Sequence, residues 1–353
     1  MKGEGEKGMK ILIIRFSSIG DIVLTTPVIR CLKKQVAGVT LHFLTKKSFA
    51  PVLSANPYID RLHLLDDSLD TTIAALKEEG FDLVIDLHHN LRTLRIKKAL
   101  RKPSKSFNKL NVQKWLLTAL KINLLPAKHL VDRCLETVAH LGVKNDGAGL
   151  DYFIPENELT KPGDLPASHQ LGYIGLVVGA AHATKRLPLH KLKELVKLLE
   201  HPIVVMGGPE DRSTGEVLAE LDPIKIYNAC GKFSLNESAD LVRKAKLIIT
   251  HDTGLMHIAA AFRKPVISIW GNTVPAFGMT PYLNQPGAPA VQWNLQAAAP
   301  LPDGTAIIEV KGLRCRPCSK IGHAACPKKH FRCMENIPLD QVHKKAQQLL
   351  AAR

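Results

Sequence analysis

Short apolar runs alternate with amphipathic stretches along most of the chain. Lys10–Phe16 (KILIIRF) closes in the turn Ser17-Ser18-Ile19-Gly20-Asp21, and a helical pattern follows over Ile22–Lys34. A run this short, apolar on both faces and ended by a polar turn, reads as a buried parallel strand. Pro27 inside the helical stretch predicts a kink or a restart with Thr26 as cap. The alternation continues with strands at Val39–Leu44, Arg61–Leu65 and Phe81–Leu87, and helices at Ser48–Ala55 and Leu69–Glu79, the latter stopped by Gly80. A further helix is expected at Leu130–Leu141, closed by Gly142. Residues Pro155–Gln170 are rich in Pro, Ser and acids and read as a linker. The alternation then restarts: strand Tyr173–Val178, helix Leu189–Leu199, strand Ile203–Met206 and helix Ser234–Lys244. Last comes a strand–turn–helix–strand unit, from Leu247 to Gly271. Tyr282–Gly312 lacks periodicity and reads as loop, with one strand at Ala306–Val310. Strands that alternate with helices build βαβ units and parallel sheets, so the class is α/β with two Rossmann-like halves.

Composition narrows this picture. The chain has 353 residues, 45% of them hydrophobic, which is room for two domains. Residues 1–8 (MKGEGEKG) read as a flexible leader ahead of Met9, without the apolar centre of a signal peptide. No apolar run is long enough to span a bilayer, so a cytoplasmic protein is expected. The net charge of +16 is uneven: from Arg92 to Lys121 there are ten cations and no acid. A polyanion, an anionic membrane surface or an acidic acceptor could use such a stretch, and so could water alone. Aromatic residues are only 5% of the chain, which argues against a single-stranded nucleic-acid channel.

Five constellations carry candidate chemistry. Ser17-Ser18-Ile19-Gly20-Asp21 puts a carboxylate at a helix start on the carboxyl edge of the first sheet. Asp21 there is either a cap or a general base. At the same edge of the second half, Asp252-Thr253-Gly254-Leu255 precedes a helix. Its backbone N–H groups would suit a diphosphate, and His257 follows one turn later. Gly179–Pro188 carries Lys185, a point charge fit for a leaving phosphate, on what is otherwise an ordinary surface loop. Glu210 and Asp211 follow a strand, where an acid meets ribose hydroxyls or caps a helix. Cys315, Cys318, Cys326 and Cys333 include a C-x-x-C pair, with His323 and His330 between them. Structural zinc, reduced thiols and a disulfide all remain open for them. Cys31, Cys134 and Cys230 lie in apolar contexts and read as core.

Together these motifs resemble the ADP-heptose:lipopolysaccharide heptosyltransferases, glycosyltransferase family nine. The resemblance runs from Met9 to the final helix. It rests on Arg15-Phe16-Ser17-Ser18-Ile19-Gly20-Asp21, on Asp252-Thr253-Gly254-Leu255-Met256-His257, and on the tail CRPCSKIGHAACPKKHFRCM. It implies the GT-B fold, with two Rossmann-like domains facing a central cleft. The expected boundaries are 9–160 for an acceptor domain, 161–336 for a nucleotide-sugar domain with the Cys-rich segment 315–333, and 337–353 for a final helix crossing back to the first domain. It implies an inverting, metal-independent transfer of heptose from ADP-heptose to a lipopolysaccharide core acceptor, with no catalytic cofactor. Asp21 matches the family's base, and Lys185 the lysine at the donor diphosphate. Asp252, Thr253, Gly254, Leu255 and His257 match residues around the donor. Ser17, Ser18, Gly20, Arg92 and Arg95 fall on the acceptor side, and an anionic, membrane-borne acceptor would give the basic stretch a partner at the inner face of the membrane. Ala180 and Ala181 stand where the family often has hydroxyl side chains. The rival readings are a sugar-nucleotide epimerase of the same architecture and a basic, zinc-bearing binding module.

Overall fold

The structure, a computed structural model, describes residues 8–283 and 304–352. Most of the expected leader and the middle of the expected loop, residues 284–303, lie outside that range. Two compact units account for the described chain. The first comprises residues 8–109 and His129–Phe153; the second comprises Leu110–Lys128, Ile154–Leu283 and 304–352.

The first unit holds five parallel strands, β1 (Lys10–Ile14), β2 (Thr40–Lys46), β3 (Arg61–Leu65), β4 (Leu83–Asp86) and β5 (Ser104–Ser106), in the order β3-β2-β1-β4-β5. The central strand β1 pairs Ile11 with Leu41 and with Leu83, and its Ile11–Ile14 are wholly buried, as a strand covered on both faces requires. The helix after β1 restarts, as Pro27 predicts. Ile19–Val23 ends, and Thr26–Gln35 begins with Thr25 as cap and Pro27 in its first turn, where a missing N–H costs nothing. Gly80 and Gly142 end their helices with φ of 66° and 76°, a left-handed backbone that favours glycine.

The second unit holds six parallel strands, β6 (Ile174–Val177), β7 (Ile203–Met206), β8 (Ile226–Asn228), β9 (Leu247–His251), β10 (Val266–Trp270) and β11 (Thr305–Glu309), in the order β11-β10-β9-β6-β7-β8. Two expectations need correction. Pro155–Gln170 is no free linker: Thr160 donates through its N–H and hydroxyl to the buried Asp240 carboxylate, and His169 is buried. The final helix, Leu339–Ala351, packs within the second unit. Its buried Leu339, Val342 and Ala346 join that unit's core beside Leu192, Leu195 and Ile308, because its apolar stripe fits the helix Leu189–Leu198 and the β9–β11 side of the sheet. No described helix is long and apolar enough to cross a membrane.

Candidate functional site

In both units the candidate residues gather where parallel strands end. In the first, β1 runs into Arg15 and Phe16, and a cis Ser17–Ser18 peptide leads into the helix Ile19–Val23. Asp21 closes a capping box there, accepting from the Ser18 N–H at 3.1 Å and the Ser18 hydroxyl at 2.8 Å. Its other oxygen pairs with the Arg15 guanidinium at 2.6 Å. Burial works against the charge, yet Arg15 and the Ser18 bonds outweigh it and hold the carboxyl below the usual aspartate range. Asp21 is therefore both a cap and a partly accessible carboxylate. Gly20 is a buried helical residue, not a positive-φ position. Arg15 also donates to the Leu87 carbonyl at 2.5 Å, which ties the turn to the end of β4.

Two histidines follow β4. His88 stacks obliquely on Phe16 with ring centres 4.8 Å apart. Burial, reinforced by the charges of Arg15 and Lys109, pulls it down to about 4, so it is a neutral imidazole at neutral pH. Arg92 lies over the Phe16 ring at 5.5 Å and so belongs to this turn. Arg95 does not: it pairs with Asp70 at 3.0 Å, and both side chains are exposed. Beneath them Asp86, fully buried, accepts from the backbone of His88 and His89 and pairs with Lys97 at 2.9 Å.

In the second unit β9 ends at His251, and the helix Gly254–Ala261 begins after Thr253. The Thr253 side chain makes no capping bond to the helix, so it does not occupy the helix N-terminus that faces this edge. Asp252 points back to Lys185, which pairs with it at 2.7 Å, and Thr273 donates to the same oxygen at 3.0 Å. Leu255 is half-buried, and His257 is buried in the helix. His251 is buried as well. Its Nε2 accepts from the Leu187 N–H at 3.0 Å, and burial brings it down to about 4. Glu210 is exposed. Asp211 is buried and pairs with Arg186 at 2.9 Å, beneath the loop that carries Lys185. A Cβ at Gly179 would stand 2.1 Å from the Asp211 carboxylate, so that strand end needs glycine. His88 and Thr273 carry no local sequence signal; the groups they meet, Phe16 and Asp252, come from other strand ends.

The Cys-rich segment braces this edge. Arg316 donates to the carbonyls of Gly271 (2.5 Å) and Thr273 (2.8 Å) and pairs with Glu309 at 2.7 Å. The His323 N–H donates to the Thr184 hydroxyl at 2.8 Å. The four thiols lie within electrostatic reach of one another, and Cys315 Sγ is 3.7 Å from His330 Nε2. Among the described residues, though, the three metal-ligand atoms that lie within 4.8 Å of one another belong to His42, His63 and Glu79, and not to these cysteines. Cys31, Cys134 and Cys230 are buried, as expected.

Comparisons with known proteins bear on the family and the fold. A profile described as glycosyltransferase family 9 (heptosyltransferase) matches residues 71–298, well over half the chain. The lipopolysaccharide heptosyltransferase 1 of Campylobacter coli is 25% identical over 296 residues, which is 75% of this chain and 84% of its own. The structure of the Escherichia coli ADP-heptose lps heptosyltransferase II superposes with a TM-score of 0.73 at 19% identity, over 98% of this chain and 99% of that one. A family 9 glycosyl transferase from Veillonella parvula gives 0.71 at 23% identity, over 98% of each. These likenesses show the fold, GT-B. With the family match, they make the chain a member of glycosyltransferase family 9, the heptosyltransferase family, and thus a glycosyltransferase.

Proposed function

We propose that the protein transfers a heptose from ADP-heptose to a hydroxyl of a lipopolysaccharide-core acceptor, with inversion at the anomeric carbon and no catalytic metal. The observation that supports this best is the cluster of Lys185, Asp252 and Thr273 beside the helix start at Thr253. An ammonium and a turn of backbone N–H groups aimed at one place suit a departing diphosphate. The relatives named for heptosyl transfer, and a solved Escherichia coli heptosyltransferase with ADP, support the donor.

The first unit supplies the base. The acceptor oxygen attacks the anomeric carbon, its proton passes to Asp21, and the bond from that carbon to the diphosphate oxygen breaks on the opposite face. Arg15 keeps Asp21 ionised and makes it a weak base at rest. Asp21 therefore takes the proton late, once bond formation has made the acceptor hydroxyl acidic. Lys185 and the helix N-terminus receive the charge that develops on ADP.

Purified protein incubated with ADP-heptose and a lipopolysaccharide-core acceptor should release ADP only when the acceptor is present. Asp21→Ala should cut that rate by about 10²–10⁴-fold, the usual worth of a general base, and leave nucleotide binding intact. Donor turnover without acceptor would favour the epimerase reading, and unchanged turnover in Asp21→Ala would reduce Asp21 to a cap.

A further inference from the structure

We propose that the second unit docks on an anionic lipid surface through a basic, apolar face built by residues 112–124 and 314–329. The charge distribution points there first. Residues 87–131 and 310–334 contain no Asp or Glu and carry eighteen Lys and Arg between them. The remainder of the chain has thirty Lys and Arg against thirty-two Asp and Glu, so these two stretches account for the whole positive excess. Ten of the eighteen, and still no acid, belong to the second unit, in Leu110–Lys128 and 310–334, and the structure brings these two parts together: the Lys121 ammonium donates to the Pro317 carbonyl at 2.7 Å.

The apolar side chains point there independently. Val112, Trp115, Leu120, Ile122 and Leu124 are 48–67% exposed, and Ile321 in the other stretch is 57% exposed. Their own segment is not loose, because Leu117 and Leu125 beneath them pack with Phe277 in a small buried cluster. A pinned segment that holds five large apolar residues outward is a contact surface rather than a failed core. Lys320, Lys328 and Lys329 are exposed on the second of these segments, beside the Lys121 that joins the two. Cations flanking Trp, Leu and Ile fit the headgroup boundary of an anionic bilayer, where the rings and branches enter and the ammonium groups stay with the phosphates. Nucleic acid fits poorly, since Trp115 is the only exposed Phe, Tyr or Trp in residues 87–131 and stacking needs several. No described helix spans a bilayer, so the contact is peripheral.

Docking would bring the enzyme to an acceptor embedded in the same leaflet. In that sense it deepens the proposed reaction, but vesicle binding is measured without donor or acceptor and stands or falls separately. The full chain should float with vesicles of phosphatidylcholine and phosphatidylglycerol and not with phosphatidylcholine alone, and raised salt should release it. Trp115 emission, isolated by comparison with Trp115→Phe, should shift to the blue on binding and be quenched by brominated lipid. The triple variant Trp115→Ser, Leu120→Ser, Ile122→Ser should bind at least about tenfold more weakly with an unchanged melting temperature. Should that variant fail to fold, Lys320→Glu, Lys328→Glu, Lys329→Glu tests the same face through charge, with the same loss expected. Absence of binding to the anionic vesicles, full binding by a folded variant, or a concentration-dependent dimer of the native chain that the apolar variant abolishes would each overturn the proposal.

Discussion

Lys185 is held in place before any ligand arrives. Its ammonium sits on the Asp252 carboxylate, which Thr273 also engages, so the charge is positioned and its position does not wait on substrate. Under the proposed reaction Lys185→Ala should lower kcat by about 10²–10³-fold, in the range seen for the loss of one preorganised donor. Lys185→Arg should recover only part of this, because a planar fork does not occupy the place of a point charge. Steady-state ADP release measures both; near-native turnover in Lys185→Ala would remove the residue from the mechanism. Asp21 and Lys185 were legible because each stands in a short polar turn at the end of an apolar run. Arg15 and Thr273, which hold Asp21 and Asp252, were not. Thr273 lies twenty-one residues from its partner, beyond the next strand, and Arg15 looks like the last residue of a strand until its guanidinium is traced to Asp21.

At the level of elements, nine of the eleven described strands are legible, because a buried parallel strand is an apolar run with little else to confuse it; the two that are not, Ser104–Ser106 and Ile226–Asn228, are three residues long and offer no apolar run. The basic stretch is not legible either. Leu91–Leu100 is a helix whose Ile96 and Leu100 are buried while Leu91 and Leu94 are exposed, so the apolar positions fall on both faces and blur the helical period. The Cys-rich segment hid its role differently. Its cysteines drew attention, yet Arg316 makes the firmest tie, reaching Gly271, Thr273, Val310 and Glu309 at once. Removing a nearly buried guanidinium leaves a carboxylate and several carbonyls without their donor, which typically costs about 3–5 kcal/mol. Arg316→Ala should therefore lower the melting temperature. It should also weaken nucleotide binding, since the loop it braces carries the Thr273 that orients Asp252. Thermal unfolding with and without ADP separates the two effects; a lower melting temperature with an undiminished ADP-induced shift would confine Arg316 to stability.

Across the whole molecule the two units should respond unequally to acid. Burial depresses His42, His63 and His88 in the first unit, with His63 and His88 brought to about 4, whereas His251 is the corresponding residue of the second. A histidine kept neutral by folding contributes its full stability above its unfolded pKa, near 6.5. It loses that stability as pH falls toward the folded value, and a shift of this size is worth about 3 kcal/mol for one fully buried ring. The carboxylates add to the asymmetry. Asp21, Asp60, Glu79 and Asp146 of the first unit lie below their usual range, Asp146 at about 2, and Asp240 does so in the second. Their contribution is complete above the ordinary carboxylate range and is lost as pH falls through the depressed values. Asp151 in the first unit and Asp211 in the second are raised by burial and act in the opposite direction, one in each, so they leave the difference standing. Lowering the pH from about 7 toward about 5 engages these depressed histidines, three against one. Hydrogen exchange, corrected for intrinsic rates, should then show β1, β2 and β4 opening before β6, β7 and β9, and His251→Gln should flatten the acid response of the second unit while sparing the first. Simultaneous opening of both sheets, or earlier opening of the second, would mean that forces other than these histidines set the acid limit.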